Sequence, residues 1–95
     1  VVIHVDILGV PMLSDALGGK HLEVEISGTG IPDLVEVVAA LGGKPAREAL
    51  FTADGGYENT IQLAVNGQRF VSLADRETRL EDGDRVTFLM LIGGG

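Results

Sequence analysis

Two stretches of strict alternation, joined by a glycine-rich link and followed at once by a helical period, constrain this chain more than any other feature. In residues 1–8, Val1, Ile3, Val5 and Ile7 fall on one side and Val2, His4, Asp6 and Leu8 on the other. In residues 21–27, Leu22, Val24 and Ile26 oppose His21, Glu23, Glu25 and Ser27. Period two with β-branched residues predicts strands with one buried face. Gly9, Pro11, Gly18 and Gly19 predict a loop over residues 9–20, so the pair reads as a hairpin with a solvated side.

The period then changes. Ile31, Leu34, Val35, Val38 and Leu41 recur at helical spacing. Pro32 suits the first turn, Asp33 and Glu36 suit the positive end of the helix dipole, and Gly42-Gly43 stops the helix after about three turns. Residues 45–51 predict a short helical turn with Leu50 and Phe51 tucked under the main body, and Asp54-Gly55-Gly56 a turn. Ile61, Leu63 and Val65 alternate again, and Asn66-Gly67 is a strong hairpin signal before a short strand at Arg69-Phe70-Val71. A charged stretch ends in Leu80-Glu81-Asp82-Gly83-Asp84, and Arg85 to Ile92 forms the last strand. The order β-β-α-β-β-β defines an α+β layer, a mixed sheet of four to five strands packed against one main helix. The first and last strands are apolar enough to be central.

Ninety-five residues hold one domain, here residues 1–92, followed by a glycine tail at 93–95. The absence of cysteine excludes a disulfide framework, a thiolate metal site and a cysteine nucleophile. A formal charge of −7 disfavours nucleic acid and anionic membrane surfaces as partners. The apolar run at 88–95 is far short of the ~20 residues that span a bilayer, and the N-terminus lacks a basic leader, so a cytoplasmic location is expected.

The last strand carries the main anomaly. Val86, Phe88 and Met90 share one face, and Thr87, Leu89 and Leu91 the other. The outward neighbours His4, Asp6, Glu23, Glu25 and Gln62 are polar, so Leu89 and Leu91 form an apolar island on an acidic face, the mark of a docking site. Gly93-Gly94-Gly95 follows directly. A backbone without side chains can thread a narrow channel and present its carboxylate to another enzyme's nucleotide. The chain has no phosphate-cradling loop of its own to activate that carboxylate.

The element order, Leu80-Glu81-Asp82-Gly83-Asp84-Arg85-Val86, Val65-Asn66-Gly67-Gln68 and the closing Gly94-Gly95 resemble the ubiquitin-like β-grasp sulfur carriers of the MoaD and ThiS type, over the whole chain. The resemblance implies that the chain is not an enzyme. Gly95 would be adenylated by an E1-like adenylating enzyme using ATP and converted to a thiocarboxylate, with sulfur from a cysteine desulfurase or rhodanese-type donor. Gly93 and Gly94 would be the threading segment, and Leu89, Met90 and Leu91 would meet the partner. The length of residues 43–59 and the stretch from Phe70 to Asp84 favour the molybdopterin type, with the chain as small subunit beside a large synthase subunit. Thiamine or cysteine biosynthesis, a lysine-linked modifier and an inert interaction module remain open. The family pattern places Ala before its Gly-Gly; here Gly93 stands there, which leaves open a register in which Gly95 must first be removed.

Other candidates carry less. His4 and His21 read as solvated, with His21 opposite about residue 9, and no cofactor or metal is expected to bind the chain. Asp75, Glu77, Glu81, Asp82 and Asp84, interleaved with Arg76, Arg79 and Arg85, read as a salt-bridged surface segment lacking calcium-loop spacing. Glu23 and Glu25 imply no cleft, and Ser14 and Ser72 have no evident base.

Overall fold

The computed structural model describes residues 1–90. Strand β1 (Val2–Leu8) leads through helix α1 (Pro11–Leu17) to β2 (His21–Glu25). Helices α2 (Ile31–Gly42) and α3 (Lys44–Leu50) follow, then β3 (Ile61–Val65), β4 (Arg69–Ser72) and β5 (Arg85–Met90). One five-stranded sheet has the order β2-β1-β5-β3-β4. Strands β1 and β5 are central and parallel, and the other pairings are antiparallel. The fold is the ubiquitin-like β-grasp, α+β as the element order required.

Alternation fixes which face is dry. Ile3, Val5 and Ile7 of β1, Ile61 and Leu63 of β3, and Val86 and Phe88 of β5 are all buried. They meet Ile31, Leu34, Val35, Val38 and Ala39 from α2 and Leu50 from α3 in one hydrophobic cluster. Helix α2 starts as its sequence indicated: Pro32 lies in the first turn, and the Asp33 carboxylate accepts the Gly30 N–H at 3.1 Å. Leu41 departs from the expected stripe. It is exposed, and Ala39 takes the inward place, because a methyl lets α3 pack closely on this turn. Any side chain at Gly42 would collide with Ala46 there.

The segment predicted as a loop over 9–20 contains α1. The residues read as loop punctuation are helix boundaries instead. Pro11 occupies the first helical turn, and Gly18, at φ 78°, adopts the left-handed cap. Leu13 anchors the helix in the core. The inserted helix also changes the hairpin register. His21 stands opposite Asp6, not residue 9, and Glu23 opposite His4.

The turn between β3 and β4 is as the sequence indicated. Asn66 and Gly67 have φ values of 54° and 69°, the mirror-image turn that matches strand twist. Phe51 bridges to Tyr57 with ring centroids 5.3 Å apart, which ties down the end of α3 and the start of the segment leading to β3.

Candidate functional site

The site assembles from the root of β5 upward. The two sequence segments around Asn66 and around Asp82-Gly83-Asp84 lie far apart in the chain, yet they form one hydrogen-bonded clasp. The Asn66 Nδ2 donates to Asp84 Oδ1 at 3.1 Å, and Asn66 Oδ1 accepts the Arg85 N–H at 2.9 Å. The other Asp84 oxygen accepts the Glu81 N–H at 2.8 Å. On the opposite flank, Asp82 Oδ1 accepts the Val2 N–H at 2.6 Å, and the His4 N–H donates to the Asp84 carbonyl at 2.8 Å. The Asp84 carboxylate satisfies a turn N–H and that of Asp82 the first N–H of β1, groups otherwise left unpaired. The clasp locks the start of β5 between β1 and β3.

The charged stretch is therefore not the self-paired surface segment expected. Asp75 accepts the Thr78 and Glu77 N–H groups, and these bonds, Thr78 first, hold its carboxyl below the usual range. Arg69 and Arg79 donate to the hydroxyls of Thr78 and Thr29. Arg85 reaches across the sheet to Asp6.

On the face turned away from the helices, strand register juxtaposes residues distant in sequence. One row runs Leu8, Leu89, Gln62, Ser72 across β1, β5, β3 and β4, and the next runs Asp6, Thr87, Ala64, Phe70. Leu8, 64% exposed, stands beside half-buried Leu89, and Phe70, also 64% exposed, stands one row away across β3. The apolar island expected around Leu89 is thus wider than the last strand. Leu8 and Phe70 were missed, because alternation within one strand does not reveal its neighbours. Met90 stands on the Phe88 side at the end of β5 and is 42% exposed. Leu91 and the glycines Gly93, Gly94 and Gly95 lie outside the described residues.

The other half of this face is polar. His21 Nδ1 lies 2.6 Å from Asp6 Oδ1, Arg85 Nη1 donates to Asp6 Oδ2 at 2.7 Å, and His4 lies 3.5 Å from Glu23. The hydrogen bond from His21 does most to hold the Asp6 carboxyl below the usual carboxylate range; burial opposes it next in size, and the bond and charge of Arg85 add to the lowering. A depressed native pKa adds stability above the unfolded value and loses it as pH falls through the native one. Asp6→Asn should therefore lower the urea midpoint at neutral pH, and the gap from the parent should close as the pH is taken below the ordinary carboxylate range. A gap that persists in strong acid would mean that the ionised form of Asp6 contributes nothing.

A larger cavity, of about 890 Å³, opens between α2 and α3 over Ala39, Ala40 and Phe51. Its charges are internally matched, Arg47 to Glu36 at 3.2 Å and Lys44 to Glu48 at 3.9 Å, and nothing in it would activate a carboxylate. Among the described residues no group of His, Asp and Glu is arranged to hold a metal ion, and no helix is long and apolar enough to cross a membrane.

A β-grasp body with an apolar outer patch on its central strand, in a sequence that carries Gly93-Gly94-Gly95 after that strand, is that of a ubiquitin-like protein of the carrier or modifier class. The chain belongs to the ThiS family, whose model matches residues 14–95. It is 32% identical over 79 residues to ubiquitin-related modifier 1 of Schizosaccharomyces pombe, across 80% of this chain and 81% of that protein. The structure of SAMP1 from Haloferax volcanii matches with a TM-score of 0.73 at 20% identity, over the whole of both chains. A Pyrococcus furiosus protein described as subunit 1 of a molybdopterin converting factor matches with a TM-score of 0.71 at 25% identity, over 97% of this chain and 99% of that one.

Proposed function

We propose that this protein is a sulfur carrier whose reagent is the Gly95 carboxylate. The observation that carries the reading is a family match running through Gly95, on a chain whose last described strand, β5, lies at the centre of the sheet. An E1-like adenylating enzyme would join the carboxylate to AMP from ATP, releasing pyrophosphate. The outer sulfur of a persulfide on a cysteine desulfurase or rhodanese-type donor would then displace AMP to give an acyl disulfide, and a partner thiol would attack the donor-side sulfur, forming a disulfide with the donor cysteine and releasing the thiocarboxylate. Gly93 and Gly94 would pass through the enzyme's channel, while Leu89, Met90 and Leu91, joined by Leu8 and Phe70, hold the body against it. The acceptor we favour is a molybdopterin precursor on a large synthase subunit, supported by the likeness to the Pyrococcus furiosus protein.

Incubation with a cognate activating enzyme, ATP and a sulfur donor should raise the intact mass by the difference between sulfur and oxygen. Omitting ATP should abolish the gain. A complete reaction that leaves the mass unchanged would remove the reading.

A second reading has its own support in the identity to ubiquitin-related modifier 1. A lysine amine attacking the same activated carboxyl would give an isopeptide bond. Conjugates of higher mass, lost on deletion of Gly95, would identify it.

A further inference from the structure

We propose that the free edge of β2 receives an extended segment of a partner chain, one that alternates basic and apolar side chains and adds a sixth strand to the sheet. The hydrogen-bond parity of the edge carries the argument. Val1 and Ile26 exchange both backbone bonds, and the Ile7 N–H donates to the Lys20 carbonyl at 2.8 Å. In an antiparallel ladder bonded and non-bonded pairs alternate, so Leu22 and Val24 bond to β1. His21, Glu23 and Glu25 turn their N–H and C=O groups away from it. Among the described residues, none of those three N–H groups donates to another backbone segment. An unpaired row of this kind is a template for strand addition.

The side chains decide which strand fits. His21, Glu23 and Glu25 are exposed and share the outer face with His4 and Asp6, while Leu22 on the other face is only half-buried. An incoming strand therefore meets two carboxylates on one side and uncovered apolar surface on the other. Lysine or arginine at alternate positions would answer the carboxylates, and Val or Ile between them would cover Leu22. A second copy of this chain is the wrong occupant. Pairing two β2 edges about their centres sets Glu23 against Glu23, and each copy carries a formal charge of −7. The edge is separate from the Leu8, Leu89 and Phe70 patch, so its occupation leaves that patch open.

The test is an NMR titration of the full ¹⁵N-labelled chain with the capped peptide Lys-Val-Arg-Ile-Lys-Val, and with Glu-Val-Glu-Ile-Glu-Val as control. The basic peptide should shift the amides of His21, Glu23 and Glu25 most and slow their hydrogen exchange. The acidic peptide should bind about tenfold more weakly or not at all. Exchanging both charges, Glu23→Lys with Glu25→Lys, should reverse that preference. Glu23→Pro removes an outward N–H without touching the β1 ladder and should weaken binding about tenfold with the spectrum otherwise intact. Should the proline variant not fold, the charge exchange decides alone. A chain lacking Gly93 to Gly95 should bind the peptide unchanged, which separates this edge from the carrier reading. The proposal falls if the shifts centre on Leu8, Leu89 and Phe70, if the two peptides bind alike, if neither binds at millimolar concentration, or if the chain self-associates through β2 instead.

Discussion

Replacing Phe88 by alanine is expected to lower the unfolding free energy by about 3–5 kcal/mol. Phe88 is wholly buried, paired between Ile7 of β1 and Leu63 of β3 at the middle of the sheet. The helices that cover it are held by their own caps and by α3, so the space left by the ring cannot close without moving several elements. A domain of this kind has a total stability of about 5–15 kcal/mol. The substitution would therefore remove a large share of it and leave a chain that unfolds at low urea. Urea denaturation followed by circular dichroism measures the effect. An unchanged midpoint would mean that β5 presents the opposite face to the core.

Leu89→Asp tests the neighbouring position with the opposite expectation. Leu89 lies on the outer face between Leu8 and Gln62 and is only half-buried. A carboxylate there remains in reach of water, so stability should change by no more than about 1 kcal/mol. Affinity for the activating enzyme should fall at least tenfold, about 1.4 kcal/mol or more, since a charge would be desolvated at the centre of the apolar patch. Titration calorimetry with the parent and variant chains gives the comparison. Binding at parental strength would place the docking surface elsewhere, and a variant that unfolds would reverse the face assignment. The two substitutions sit one residue apart and should separate stability from recognition.

That separation was visible in sequence because period two is a local property. The faces of β1, β2, β3 and β5 follow from alternation alone, and the Asn66-Gly67 turn follows from the backbone angles those residues tolerate. The centrality of β1 and β5 followed from their apolar content. What escaped was nonlocal or ambiguous. Gly and Pro mark helix ends as readily as loops, so α1 was concealed behind Pro11 and Gly18, and with it the pairing of His21 with Asp6. The contribution of Leu8 and Phe70 to the patch depends on how β1 and β4 register against the strands between them. The bond from Asn66 to Asp84 spans 18 positions and brings together two turns, each of which makes sense by itself. At the tail the situation inverts: its glycines are readable in sequence, and the described residues end at Met90, short of them.

The parallel pairing of β1 with β5, flanked by antiparallel β3, has a mechanical corollary. A pull applied at Met90 along β5 runs along the axis of a strand bonded on both sides. Such a load shears two ladders at once, where traction on the edge strand β4 would unzip one bond at a time. Under the proposed function, machinery that drew the glycines into a channel would tug against a body built to resist traction from that end.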